Sequence, residues 1–233
     1  TAKVICLKHM FEHVPPRFLR RIVTCALWEG PPESGTVALT FDDGPDPDIT
    51  PYMLDTLEER GCRATFFLVG KHVASHPGLA RAIVQAGHTV GNHSMSHRRM
   101  LFMDKKNIER EIDGASREIF DATGIQPKIF RPPYGVFSFA TARKVRDRGM
   151  RMVLWTVLSG DYRDDPSDVL LARVKPFIRP GAIMVFHDTV GGGGMMLPDL
   201  IEKIISIACD NNLRFGTIDD LVNTREFVTK GGA

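Results

Sequence analysis

From residue 36 to residue 218, short apolar segments alternate with amphipathic ones. This alternation is typical of a parallel sheet covered by helices, because each parallel strand needs a crossover that returns the chain. Strands are expected at 36–41, 64–69, 88–91, 129–131, 152–157, 183–186 and 215–218, and helices at 49–59, 77–85, 104–121, 139–148, 168–177 and 197–210. The sequence therefore predicts repeated βα units in an α/β protein.

The length of the chain favours one catalytic domain. Its 233 residues, 43% of them hydrophobic, suffice for one sizeable core. Residues 1–34 are expected to form an N-terminal extension and linker, and residues 35–233 the catalytic domain. A short amphipathic helix is expected after Pro16, with Arg17, Arg20 and Arg21 on its basic side. Because three arginines are few, water is favoured over a membrane surface as the environment of that side.

The composition excludes some classes of function. The net charge of +2 and the even spread of lysine and arginine argue against a nucleic-acid partner. The cysteines Cys6, Cys25, Cys62 and Cys209 have no C-x-x-C spacing, so buried thiols are expected, although a single bridge stays open. No apolar run reaches the roughly 20 residues that span a bilayer. No signal-peptide core is visible, and because the chain starts at Thr1 rather than Met, an upstream leader or anchor stays open.

The segment 40–45 (TFDDGP) combines two adjacent carboxylates with a forced turn at the end of an apolar strand. Side chains alternate along a strand, so Asp42 and Asp43 are expected to have different roles, one facing a metal and the other a substrate or water. Gly44 and Pro45 end the strand at its carboxyl end, where α/β folds build their sites. The alternative is an ordinary solvated turn.

Six of the eight histidines stand in pairs four residues apart: His9 and His13, His72 and His76, His93 and His97. On a helical turn this spacing places both imidazoles on one face, where they can share a divalent metal. Any one pair is otherwise an ordinary surface feature. The 93–97 pair alone follows a strand end, at the edge where the carboxylates of 42–43 are expected. Two histidines and one carboxylate are a common catalytic ligand set.

Four motifs, in order, resemble those of the polysaccharide deacetylase family with a NodB-type domain, grouped as carbohydrate esterase family 4. They are 40–45, the His93-x-x-x-His97 pair, 131–135 (RPPYG) and 185–188 (VFHD). The segments 64–67 (ATFF) and 87–93 (GHTVGNH) share the resemblance, which covers about residues 35–222.

This resemblance implies a distorted (β/α) barrel of about seven parallel strands, similar to a TIM barrel, with a metal-dependent amide hydrolase site. The implied residues are Asp43, His93 and His97 as metal ligands, Asp42, Arg131, His187 and Asp161 as catalytic residues, and Tyr134, Tyr162 and Val185 as substrate-binding residues. Asp42 is then the general base and Arg131 orients it. His187 is the general acid, and Asp161 sets its charge. The backbone N–H of Tyr134 binds the oxyanion.

Two positions depart from the family pattern. Tyr162 stands where an indole is usual, and Val185 stands where leucine is usual. Both positions line the acetyl or sugar pocket in the family, so the resemblance leaves the fit of the substrate open.

The function implied is removal of N-acetyl groups from N-acetylglucosamine units of a glycan by attack of metal-bound water. The glycan is peptidoglycan, a chitin-like polymer or an exopolysaccharide, and the metal is Zn²⁺, with Co²⁺ or Ni²⁺ as alternatives. Hydrolysis of another small amide, such as a formamido sugar, and an inactive carbohydrate-binding relative are the other hypotheses. A monomer is expected. The resemblance implies the cell envelope or secretion, but the sequence itself leaves the localisation open. Membrane association is expected only through the N-terminal extension or a missing leader.

Overall fold

One parallel sheet organises the part of the chain that this computed structural model describes, residues 13–163, 165–190 and 194–222. Its nine strands follow the spatial order β1-β6-β5-β4-β3-β2-β8-β7, and β9 pairs with the start of β2. The strands are β1 (Ala26–Leu27), β2 (Thr36–Asp42), β3 (Thr65–Leu68), β4 (Thr89–Asn92), β5 (Ile129–Phe130), β6 (Arg151–Val153), β7 (Val157–Leu158), β8 (Ile183–His187) and β9 (Arg214–Gly216).

Eight α-helices accompany this sheet in the described ranges. They are α1 (Arg17–Ile22), α2 (Thr50–Glu59), α3 (Gly70–Ser75), α4 (Pro77–Gln85), α5 (Lys105–Thr123), α6 (Phe139–Asp147), α7 (Ser167–Val174) and α8 (Leu197–Asp210). The longest, α5, is capped at its start by Asp104, whose side chain accepts a hydrogen bond from the Asn107 N–H. It is capped at its end by Gly124, which has a positive φ. None of these helices is both long and apolar enough to cross a membrane.

The sheet curls, so that its two faces bury different cores. Val37, Leu39 and Phe41 of β2 pack outward against the helices, whereas Ala38 belongs to the cluster inside the curl. By the same alternation Asp42 lies on the inner face, at the end of a strand that is buried throughout. The fold thus delivers a carboxylate to the mouth of the curled sheet.

The expected distorted (β/α) barrel is confirmed as a curled, incompletely closed sheet of parallel strands. A single strand was expected at 152–157, and this was wrong. The chain forms two strands there, β6 and β7, because the backbone at 154–156 leaves one neighbouring segment and pairs with another. The Leu154 N–H donates to Leu27 O, and the Thr156 N–H donates to Ile183 O. Six of the expected strands and all six expected helices are present within a few residues of their predicted bounds.

The residues before position 35 contribute to the same sheet. β1 pairs with β6, and Trp28 is buried with its indole N–H donating to Val23 O. The predicted short helix is present as α1, with Leu19 as its buried residue. The strand at 26–27 was missed because two residues are too few for a period-2 pattern. The domain division at residue 34 stays a prediction.

The expectation of buried cysteines was wrong for two of the three that lie in the described part of the chain. Cys25 and Cys209 are exposed, Cys62 is half-buried, and all three are free thiols. Cys25 lies in the turn before β1 and Cys209 in the last turn of α8, so both are near ends of elements where a small side chain is readily left in water. Cys6 lies outside the described residues, as does His9.

Candidate active site

The carboxylates of Asp42 and Asp43 converge because the strand ends between them. Asp42 is the last residue of β2, and Asp43 has φ +77°, in the left-handed region. The alternation of side chains therefore stops, and both carboxylates face the imidazole of His93. Its Nε2 lies 3.9 Å from Asp42 Oδ2 and 3.3 Å from Asp43 Oδ1.

Asp188 lies directly behind this turn and admits only glycine at position 44. A Cβ on Gly44 would lie 2.3 Å from Asp188 Oδ2. That oxygen accepts a hydrogen bond of 2.7 Å from the Thr50 hydroxyl, while Oδ1 has no hydrogen-bond partner. Complete burial raises the pKa of Asp188 well above its usual range. Asp188 belongs to the 185–188 motif, but the sequence alone did not indicate that it takes part in the site.

The 93–97 segment is a loop, so the expected helical turn was wrong. Ser94 has φ +67° and His97 has φ +53°. The side chain of Asn92 accepts from the Ser94 N–H at 2.8 Å, and the Ser94 hydroxyl accepts from the His97 N–H at 3.1 Å. These side-chain to backbone bonds replace those of a helix. The two imidazole centres still lie 5.1 Å apart.

Asp43, His93 and His97 form a set that suits a cation. Their ligand atoms all lie within 4.8 Å of one another, and Asp43 Oδ1 lies 2.9 Å from His97 Nε2. His93 Nδ1 lies 2.8 Å from the carbonyl oxygen of Arg131, which assigns the proton to Nδ1 and leaves a lone pair on Nε2. That lone pair faces Asp43 Oδ1, a buried oxygen, at 3.3 Å. His93 Nε2 and Asp43 Oδ1 both offer lone pairs to each other, so a positive charge between them would stabilise the contact.

Arg131 is completely buried and holds Asp42 in place. Its Nη1 donates to Asp42 Oδ1 at 2.6 Å and to the Thr40 hydroxyl at 2.7 Å, and its Nη2 donates to Leu154 O at 3.1 Å. The guanidinium also lies 4.0 Å over the ring of Phe67. The register explains this meeting, because β4 and β5 align next to each other and their ends carry His93 and Arg131.

His187 and Asp161 form a second charged pair on the other side of Asp42. His187 ends β8 and is paired in register with Asp42. Its Nδ1 lies 2.8 Å from Asp161 Oδ1, and its backbone N–H donates to Asp161 Oδ2 at 2.7 Å. Burial alone would lower the pKa of His187, but the Asp161 carboxylate outweighs it and, with Asp43 and Asp42, raises the pKa to about 9. The imidazole is therefore protonated at neutral pH.

The three expected substrate-binding residues occupy different depths. The Tyr134 ring packs 4.6 Å from the His97 imidazole, and Tyr162 meets His187 edge-on at 5.3 Å. Tyr134 has φ +61°, and a Cβ on the next residue, Gly135, would lie 2.4 Å from the Trp155 ring. Val185 is only 1% exposed and packs inside the curl, two residues before His187. Whether it contacts an acyl group stays a prediction.

Among the described residues, His13, His72 and His76 are not part of this ligand set, although His72 contacts its backbone. His72 Nδ1 lies 2.6 Å from the carbonyl oxygen of Asp43. His13 Nδ1 lies 3.2 Å from Leu158 O. The structure thus brings together all seven expected metal-ligating and catalytic residues, and their assigned roles stay predictions. Sequence reasoning missed the contact of His72, since only the fold places α3 beside the 42–45 turn.

Comparison with known proteins agrees with the motifs. The family model described as polysaccharide deacetylase matches residues 29–153. The chain belongs to the polysaccharide deacetylase family. A peptidoglycan-N-acetylglucosamine deacetylase of Bacillus cereus is 31% identical over 197 residues, which cover 84% of this chain and 72% of that protein. A chitooligosaccharide deacetylase of a Bradyrhizobium species is 39% identical over 158 residues, which cover 66% of this chain and 72% of that protein.

A solved structure of this family has the same fold. The crystal structure of the Bc1960 peptidoglycan N-acetylglucosamine deacetylase, in complex with 4-naphthalen-1-yl-N-oxidanyl-benzamide, superposes with a TM-score of 0.84 at 29% identity. The match covers 89% of this chain and 97% of that one. This polysaccharide deacetylase therefore has the curled barrel of its family, with the predicted ligand and acid–base residues at the mouth.

Proposed function

We propose that this polysaccharide deacetylase is a metal-dependent enzyme that removes N-acetyl groups from N-acetylglucosamine units of a glycan. One observation carries the proposal: the buried carboxylate oxygen Oδ1 of Asp43 lies within 3.3 Å of His93 Nε2 and 2.9 Å of His97 Nε2. The carboxyl group of Asp42, paired with Arg131, lies on one side of that cluster and a protonated histidine, His187, on the other. A cation site between a base and an acid suits hydrolysis of an amide.

Asp43, His93 and His97 would hold the metal, for which Zn²⁺ is the first choice and Co²⁺ or Ni²⁺ are alternatives. When bound, such an ion supplies Lewis acidity that acidifies water and polarises an amide carbonyl. The support behind these ligands is already formed, since the Arg131 carbonyl orients His93 through Nδ1.

Asp42 takes the proton of the attacking water as its oxygen adds to the amide carbon. One carboxylate oxygen of Asp42 is bonded to Arg131, and the other faces His93, so Oδ2 is the oxygen left to accept. The guanidinium keeps Asp42 oriented, and burial of the pair excludes competing water. The negative charge that develops on the carbonyl oxygen is stabilised by the backbone N–H of Tyr134.

His187 completes the reaction by protonating the amine nitrogen as the C–N bond breaks. Its pKa of about 9 keeps the required proton in place at neutral pH. The Asp161 carboxylate stabilises the imidazolium, and the Ser159 hydroxyl donates a hydrogen bond of 2.7 Å to that carboxylate. The products are acetate and a free amino sugar, and Asp42 and His187 regain their starting protonation by exchange with solvent.

Product analysis tests this proposal directly. N-acetylated oligosaccharides, peptidoglycan fragments and a formamido sugar are incubated with the protein and with a chelator-treated sample. Mass spectrometry should show loss of one acetyl group per event, abolished by the chelator and restored by added Zn²⁺. Loss of formyl but not acetyl would favour the alternative amide. Glycan binding without any product, in samples with one Zn²⁺ per chain, would favour an inactive carbohydrate-binding relative.

A further inference from the structure

An exposed arginine lies near the candidate metal site and has no part in the chemistry derived above. Arg99 is exposed, and its Cζ lies 5.2 Å from the centre of the Tyr134 ring. That ring lies 4.6 Å from the imidazole of the metal-ligand candidate His97. The three side chains form a contiguous row that leads from the candidate metal site to an exposed arginine.

A guanidinium that lies over an aromatic ring still has N–H groups with which it can bind a ligand. In the described part of the chain no carboxylate forms an ion pair with Arg99. Glu111, the acid bonded to this loop, instead accepts from the N–H and hydroxyl of Ser96. The guanidinium of Arg99 is therefore oriented by Tyr134 and forms no ion pair with a carboxylate of the described residues. It lies at the edge of the candidate site.

Another arginine lies close to a tyrosine on the His187 side of the site. Arg163 Cζ lies 5.6 Å over the Tyr162 ring, and that ring meets the general-acid candidate His187 edge-on.

We propose that Arg99 is a specificity-determining residue that binds a carboxylate on the sugar next to the reacting N-acetylglucosamine unit. This inference rests on the proposed deacetylase function and names its substrate class, an anionic glycan of the peptidoglycan type. In such a glycan N-acetylglucosamine alternates with a sugar that carries a lactyl carboxylate, whereas chitin-like oligosaccharides are neutral. The planar fork of a guanidinium matches the two oxygens of a carboxylate, so Arg99 discriminates between the two kinds of substrate.

The test compares one glycan in two charge states. A peptide-free tetrasaccharide of alternating N-acetylglucosamine and lactyl-bearing sugars is used as the free acid and as its methyl ester, which has nearly the same shape and no charge. For the parent protein we expect kcat/KM to be about 5- to 10-fold higher for the acid than for the ester, as for one exposed charge-assisted contact. Salt should reduce this ratio, because the contact is open to solvent.

Variants of the protein assign the preference to this residue. Arg99→Ala should bring the acid-to-ester ratio close to one and leave kcat/KM for a neutral N-acetylglucosamine tetramer within about 3-fold of the parent. Arg99→Lys should restore part of the ratio, since it keeps the charge and loses the fork. The matched control is Arg146→Ala, which removes one exposed arginine from the last turn of α6, just before β6 begins at the far end of the strands. It should keep the parent ratio.

Binding separates failure of this inference from failure of the deacetylase proposal. Calorimetry with the same acid and ester on an Asp42→Asn background, with and without Arg99→Ala, measures the preference without turnover. A preference for the acid that disappears with Arg99→Ala supports the inference even if no acetate is ever released. Equal binding of acid and ester by the parent, an acid preference that survives Arg99→Ala, or binding of neither glycan overturns it.

Discussion

Replacing Asp161 by asparagine should remove the charge that keeps His187 protonated at neutral pH. The carboxamide oxygen of the new side chain could still accept a hydrogen bond from His187, so the substitution is nearly isosteric. The charge is lost, however, and burial then lowers the pKa of His187 against only the weaker opposing effects of Asp43 and Asp42. We expect the pKa to fall from about 9 to about 6.5 or below, a change of about 3 kcal/mol in the interaction with the imidazolium.

The consequence for activity is a shift of the alkaline limb of the pH profile. A general acid works only while protonated, so kcat/KM of the parent should hold up to about pH 9 and fall above it. In Asp161→Asn the limb should move to about pH 6.5 or below, which leaves roughly a tenth of the imidazole protonated at about pH 7.5. The assay is acetate release from one oligosaccharide, followed from about pH 5 to about pH 10. Asp55→Asn, which removes an exposed acid on α2, is the control.

Stability offers a second measurement of the same pair. Since the folded-state pKa of His187 is raised, its contribution to stability is fully present below the unfolded pKa of about 6.5 and is lost as pH rises through about 9. The free energy of unfolding of the parent should fall across this window by up to about 3 kcal/mol, and Asp161→Asn should remove that fall. NMR titration of the imidazole on metal-free protein reads the pKa directly. A pKa within half a unit, roughly, of the parent value in Asp161→Asn would refute this reasoning.

Further outcomes are expected at the other site residues. Asp42→Asn should bind metal as the parent does and lose about 10²- to 10⁴-fold in kcat; activity within about threefold would remove Asp42 from the role of base. His97→Ala should lower the stoichiometry of bound Zn²⁺, measured by elemental analysis after dialysis, from one per chain towards none; unchanged binding would place the metal elsewhere. Arg131→Met should lower the free energy of unfolding by about 3 to 5 kcal/mol in denaturant titrations, because it leaves a buried carboxylate unpaired; an unchanged midpoint would contradict that pairing. Val185→Leu should tighten the preference for acetyl over propionyl by a factor that corresponds to about 1 to 3 kcal/mol; an unchanged ratio of kcat/KM values would show that Val185 does not touch the acyl group.

The residue types of the candidate site could be read from the sequence, because each stands next to a strand end in a motif with restricted spacing. An apolar run that stops at two acids and a glycine-proline turn leaves little choice about where those acids lie. The 3.6 and 2.0 periodicities likewise placed most helices and strands. These are local properties, so the chain carries them without reference to its partners.

The conformation of the site depended on contacts between distant segments. His93 and His97 meet through a loop that the Asn92 and Ser94 side chains shape, although their spacing also suits a helix. The short strand β1 exists because β6 pairs with it, and no periodicity marks two residues.

The tertiary structure also decided which charged groups contact one another. The 185–188 motif does not show that Asp188 packs behind Gly44, and nothing in the segment around Arg99 shows that it lies over Tyr134. The pKa of His187 is raised by a carboxylate that lies 26 residues away in the chain and 2.8 Å away in space. Sequence by itself determined which chemical groups reach the mouth of the barrel. Only the tertiary structure decided their distances, burial and charge states, because burial and Coulomb interactions depend on position in space and not on order in the chain.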